Sequence, residues 1–112
     1  MRRAAKIDAN QPAIVSALRK AGATVYSLAA VGQGIPDLLV GYAGRTALIE
    51  VKDGGKPPSA RALTPDQQVW HQTWTGGTLA VVPDVEAALR VLAAMKGAHA
   101  EQKQAQHDQS RA

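Results

Sequence analysis

Two acids and an amine stand at a spacing suited to phosphodiester hydrolysis. Gly34-Ile35-Pro36-Asp37 is followed, after a short apolar run, by Leu48-Ile49-Glu50-Val51-Lys52, with twelve residues between Asp37 and Glu50. A two-residue turn at Ala43-Gly44 would pair Tyr42 with Arg45, Val40 with Ala47 and Leu38 with Ile49, and so set Asp37 opposite Glu50. Directly opposed residues have Cβ atoms roughly 4.5–5.5 Å apart. The two-residue period of a strand puts Lys52 on the face of Glu50. Two ionised carboxylates this close repel, so something cationic belongs between them. Lys52 is one such cation. A hard divalent ion such as Mg²⁺ is a better one, because it takes carboxylate and carbonyl oxygens, here Asp37, Glu50 and the Val51 backbone carbonyl. An ion held there polarises a phosphoryl oxygen and activates water, and Lys52 would orient that water or offset transition-state charge. The competing reading is a Glu50–Lys52 ion pair on a solvated strand. A three-residue turn would undo the pairing altogether.

The elements that position these residues follow from pattern. Asp8 or Asn10 caps a helix over 11–21, with Ile14, Val15, Leu18 and Ala21 on one stripe and Gly22 at its C-terminal end. A strand at 24–28 and a glycine-punctuated loop at 30–36 lead into strands at 37–41 and 46–52. Gly54-Gly55 and Pro57-Pro58 mark 53–63 as a flexible, exposed loop. Thr64-Pro65-Asp66-Gln67 opens a helix that runs to about residue 75 and stops at Gly76-Gly77. A strand at 78–82 follows. Pro83-Asp84 then opens a last helix, with Val85, Ala88, Leu89, Leu92 and Met95 as its apolar stripe. From Gly97 the chain is polar and Gln-rich with no apolar period, which predicts a disordered tail. The expected order is α-β-β-β-α-β-α: an α/β domain over 8–96, a mixed sheet flanked by helices, with a basic arm at 1–7 and the tail at 97–112.

A chain of 112 residues has room for one domain. It has no Phe, so the core is built from small aliphatic residues, and dimerisation is a plausible remedy for modest burial. The absence of cysteine excludes disulfides and thiolate metal sites. No apolar run reaches the roughly 20 residues of a membrane span. The basic start, Met1-Arg2-Arg3-Ala4-Ala5-Lys6, has no long apolar segment after it, so a cytoplasmic protein is expected. Thirteen Lys and Arg against nine Asp and Glu give a net charge of +4, which favours polyanionic partners such as nucleic acid.

Other residues admit two readings each. Gln67 either caps its helix or points at the carboxylate site to hold a water or phosphate. Gly32-Gln33-Gly34 resembles a dinucleotide-binding loop only in part, because the third glycine is missing and a strand follows. Trp70 and Trp74, one helical turn apart, belong to a core or dimer interface, or stack on a base. His71 has no second His near it in sequence, and His99 and His107 fall in the tail. Lys56 and Arg61, with Arg2, Arg3 and Lys6, contact phosphates or are simply solvated.

Taken together, the chain resembles the PD-(D/E)xK nuclease superfamily, and within it the small stand-alone VRR-NUC domains of phages and bacteria. The resemblance rests on Val31-Gly32-Gln33-Gly34-Ile35-Pro36-Asp37-Leu38-Leu39-Val40 and Ala47-Leu48-Ile49-Glu50-Val51-Lys52-Asp53-Gly54. It continues in Leu63-Thr64-Pro65-Asp66-Gln67-Gln68-Val69-Trp70 and Ala80-Val81-Val82, and spans residues 8 to 92. It implies a restriction-endonuclease-like fold and cleavage of DNA dependent on Mg²⁺ or Mn²⁺ in a bacterial or phage-infected cell. Asp37 and Glu50 would hold the metal, Lys52 would be the catalytic lysine and Gln67 the helix glutamine. Likeness to junction resolvases implies a homodimer acting on branched DNA such as a four-way (Holliday) junction. One departure stands out. The family's first helix generally carries a metal-assisting Glu, whereas Gln11 occupies about that place here. The resemblance therefore also accommodates a weakened or inactive DNA-binding module, or a nuclease-like subunit of a larger complex.

Overall fold

The computed structural model describes residues 7–110. Eight elements follow in order: α1 (Gln11–Lys20), β1 (Thr24–Ser27), β2 (Leu38–Tyr42), β3 (Arg45–Val51), α2 (Pro58–Arg61), α3 (Pro65–Thr73), β4 (Thr78–Val82) and α4 (Val85–Ser110). The strands form one mixed sheet in sequence order, with β1–β2 and β2–β3 antiparallel and β3–β4 parallel. An α/β domain with a four-stranded mixed sheet flanked by helices is therefore the architecture.

Register comes from the β2–β3 turn. Ala43 and Gly44 both take positive φ, 52° and 74°, the signature of a two-residue turn whose twist matches the strands it joins. Tyr42 pairs with Arg45, Val40 with Ala47 and Leu38 with Ile49. Every second residue then faces one side, where Val25, Leu38, Val40, Ala47, Ile49, Val51 and Val82 are buried against Ile14 and Leu18 of α1 and Ala88, Leu92 and Met95 of α4. The opposite side carries Tyr26, Leu39, Leu48 and Glu50. Tyr26 and Leu39 are exposed there, while Leu48 and Glu50 are buried.

Three expectations change. Asn10 occupies the N-cap position of α1 but its side chain makes no capping hydrogen bond. Its amide instead donates to the carbonyls of Lys52 (3.1 Å) and Pro83 (3.0 Å). Within the Gly/Pro stretch, Pro58–Arg61 makes a single helical turn, which proline at the first position favours. The backbone of α4 continues through Ser110, past Gly97, through a run of Ala, Gln, Glu and Lys that favours helix without any apolar stripe. At the other end of α1 the expectation holds in detail. The N–H of Gly22 reaches Arg19 and that of Ala23 reaches Leu18, closing the carbonyls of the last turn.

Candidate active site

The hairpin delivers the acids. Asp37 sits one residue ahead of β2, so the observed register, continued by one position, sets it opposite Glu50. Its backbone carbonyl accepts from Leu28 N–H at 2.7 Å, which fixes the end of the loop. Its side-chain Oδ2 accepts from Val51 N–H at 2.7 Å. In an antiparallel ladder a residue's N–H and C=O leave the strand on the same side. The Val51 carbonyl therefore projects toward Asp37 as well.

Lys52 follows directly after β3 and is held from two sides through its backbone. Its N–H donates to Val82 at 3.0 Å and its carbonyl accepts the Asn10 amide. Its Nζ lies 3.8 Å from Glu50 Oε2 and donates to Gln67 Oε1 at 2.7 Å.

Gln67 caps its helix and also reaches the carboxylate site, where its partners are Lys52 and Glu50. Thr64 Oγ1 accepts its backbone N–H at 3.3 Å, and Gln67 Oε1 accepts Thr64 N–H at 2.9 Å, a complete capping box. The same Oε1 accepts a hydrogen bond from Lys52 Nζ, while Nε2 donates to Glu50 Oε2 at 3.3 Å. One amide thus caps α3 and bridges lysine to glutamate.

Glu50 is 2% exposed. Its pKa is pushed up to about 8, first by burial, then by the adjoining Asp37 and its charge, with a smaller push from Asp8; Lys52 opposes the rise. Near neutral pH the carboxyl is mostly protonated. Its Oε1 is buried without a hydrogen-bond partner. His71, one turn along α3 from Gln67, has its pKa lowered by burial and by the charge of Lys52, and its Nε2 is likewise buried without a partner.

The donors fit a hard divalent cation that keeps much of its hydration. Asp37, Glu50 and the Val51 carbonyl supply oxygen only, and Glu50 Oε1 is buried without a hydrogen-bond partner. The donor set is sparse. Among the described residues no group of three or more His, Cys, Asp or Glu comes together. Gln11 is 3% exposed with an unpartnered Oε1, a neutral oxygen buried at the start of α1.

Of the described basic candidates, neither Lys56 nor Arg61 has a hydrogen bond or ion pair with Asp37, Glu50 or Lys52. Lys56 Nζ is 4.0 Å from the Asp8 carboxylate. Arg61 lines a cavity shared with Asp53, Asp84 and Glu86. Arg2, Arg3 and Lys6 lie outside the described residues. The two tryptophans stack with ring centroids 4.9 Å apart, yet α3 contains no buried residue, and Trp74 is partly exposed, so the pair is not core. The sequence offered Asn10 only as a helix cap; its amide instead reaches a carbonyl 42 positions away, for which no local signal exists. The glycines ahead of Asp37 are read from sequence as letting the loop backbone pass close to the site, and Gly34 does approach the backbone of α3. Comparison with models of known families, with curated proteins and with solved structures finds no match.

Proposed function

We propose that this chain is a divalent-metal-dependent nuclease acting on DNA, with the restriction-endonuclease-like arrangement of the PD-(D/E)xK superfamily. One observation carries the reading. A buried glutamate and an aspartate adjoin at the end of a hairpin with the Lys52 ammonium 3.8 Å from the glutamate, whose pKa is pushed up to about 8 by burial and by the aspartate. Such a pair beside a lysine supports the reading of a site that takes a cation.

Asp37, Glu50 and the Val51 carbonyl would hold the ion. Bound Mg²⁺ or Mn²⁺ would supply Lewis-acid activation of a phosphate oxygen and of water. The residues themselves do the rest. Val51 N–H fixes the Asp37 carboxylate by donating to its Oδ2. Gln67 holds the Lys52 ammonium at its donor distance, so the amine is aimed before substrate arrives. Lys52 stands close enough to Glu50 to favour its ionised form and to offset negative charge gathering on a transferring phosphoryl group. By likeness to junction resolvases, the reading extends to a homodimer acting on branched DNA.

The test is a panel of four-way junction, flap and linear duplex DNA with Mg²⁺ or Mn²⁺, read for strand scission. Lys52→Ala is expected to lower the rate by about 10²–10⁴-fold. Scission that survives that substitution would sink the assignment. A second reading, a DNA-binding module that no longer cuts, is favoured by the neutral Gln11 and the sparse acid set. Retained DNA affinity with no scission under either metal would select it.

A further inference from the structure

Loop 29–36 and α3 come very close together at Gly34. Gly32, Gln33 and Gly34 take positive φ in succession, 71°, 61° and 81°. A Cβ added at Gly34 would lie 2.6 Å from the Asp66 carbonyl carbon and 3.0 Å from Gln67 N, and would also overlap the Asp66 carbonyl oxygen. These are backbone atoms of the first turn of α3 and cannot swing aside as a side chain would. A Cβ added at Gly32, two residues earlier and at similar φ, meets nothing within 4 Å. The loop therefore contains two glycines with the same backbone requirement and only one with a steric requirement.

We infer that Gly34 is a positioning residue: its missing side chain lets the loop that carries Asp37 seat against α3, and this contact holds Gln67 between Lys52 and Glu50. Gln67 N, against which the added methyl would press, is the N–H taken by Thr64 in the capping box. The side chain of the same residue grips Lys52 and Glu50. With no buried residue in α3, its first turn is fixed by the capping box, by the grip of Gln67 and by this contact. A methyl at position 34 is accommodated by displacing that turn, while the core on the far face of the sheet is untouched. Gly34 and Asp37 are three positions apart on one loop, so the contact ties the spacing between Asp37 and Gln67 to one backbone-to-backbone distance.

The inference about metal affinity rests on the proposed nuclease reading, but the placement of Gln67 does not, and the test separates them. Full-length wild type, Gly34→Ala, Gly32→Ala, Gln67→Ala and the Gly34→Ala/Gln67→Ala double variant are compared. The side-chain amide of Gln67 is followed by NMR, Mn²⁺ affinity by calorimetry and stability by thermal unfolding. Gly32→Ala is expected to keep the wild-type Gln67 amide resonances. Gly34→Ala is expected to move them to free-amide positions at a melting temperature close to that of Gly32→Ala, and to weaken Mn²⁺ binding by about tenfold. Because Gly34 acts through Gln67, adding Gly34→Ala to Gln67→Ala should cost no further affinity. Unmoved Gln67 resonances in Gly34→Ala, or additive losses in the double variant, overturn the proposal. So does a Gly34→Ala chain that fails to fold where Gly32→Ala folds, since the contact would then support the whole domain rather than one side chain. Absence of Mn²⁺ binding by the wild type would count against the nuclease reading alone, with the resonances still deciding the role of Gly34.

Discussion

Glu50 holds its proton to a pH at which an exposed glutamate has long lost it. Its folded pKa, about 8, exceeds the ordinary value of 4.5, so the folded chain binds more protons than the unfolded one between these limits. The stability contributed by this group is complete below about 4.5 and is lost as pH rises through about 8. Denaturant unfolding without metal is therefore expected to show stability falling from pH 5 to pH 8, and Glu50→Gln to flatten that slope. Saturating Mg²⁺ or Mn²⁺ should reverse the slope for wild type and leave Glu50→Gln unmoved. Gln11 belongs to the same scale. Gln11→Glu places a further acid at a buried position, so the metal-free protein should lose stability at pH 8 while Mn²⁺ affinity and any scission rate rise. Calorimetry and melting with and without Mn²⁺ read both effects, and unchanged affinity would mean that the start of α1 does not serve the ion. Asp37, Glu50 and Lys52 were legible in sequence because a two-residue turn and the strand period suffice to align them. The double duty of Gln67 was not, since the capping box is local while its hold on Lys52 depends on where α3 sits.

At the scale of elements, Ala43 is the weak choice in a strong design. It occupies a left-handed position at φ 52° that asparagine or glycine takes at lower cost. Ala43→Asn should stabilise the hairpin by about 0.5–1 kcal/mol, measured by denaturant unfolding with an unchanged m-value. A loss of stability would show that the turn is held by contacts of Ala43 rather than by its backbone. The strands and most of the stripes of α1 and α4 could be read because periodicity reports which face is buried: Ile14, Leu18, Ala88, Leu92 and Met95 are core, whereas Ala21 and Leu89, at the edges of those stripes, are exposed. Two features had no such signal. The Asn10 side chain looked like a cap because Asn before a helix favours one, but two carbonyls across the fold outcompete its own helix. The reach of α4 beyond Gly97 rests on helix propensity alone, which apolar periodicity does not register.

For the whole molecule, charge and face determine what a nucleic acid would meet. The net charge of +4 is modest, and Lys56 already has the Asp8 carboxylate at 4.0 Å. If Lys56 and Arg61 contact phosphates, Lys56→Ala and Arg61→Ala should each reduce the slope of log affinity against log salt by about 1 for duplex DNA. Unaltered slopes would remove residues 53–63 from the binding surface. The two sides of the sheet divide the labour: one is sealed by α1 and α4, and the other bears the acids beneath a helix that buries none of its residues.

That last property gives the site two lifetimes. Asp37, Glu50 and Lys52 are borne by the hairpin and persist as long as the central strands do. Gln67 persists only while a lightly seated helix stays docked. Amide hydrogen exchange should accordingly release the α3 protons through a local opening of low free energy, while the β3 protons wait for global unfolding.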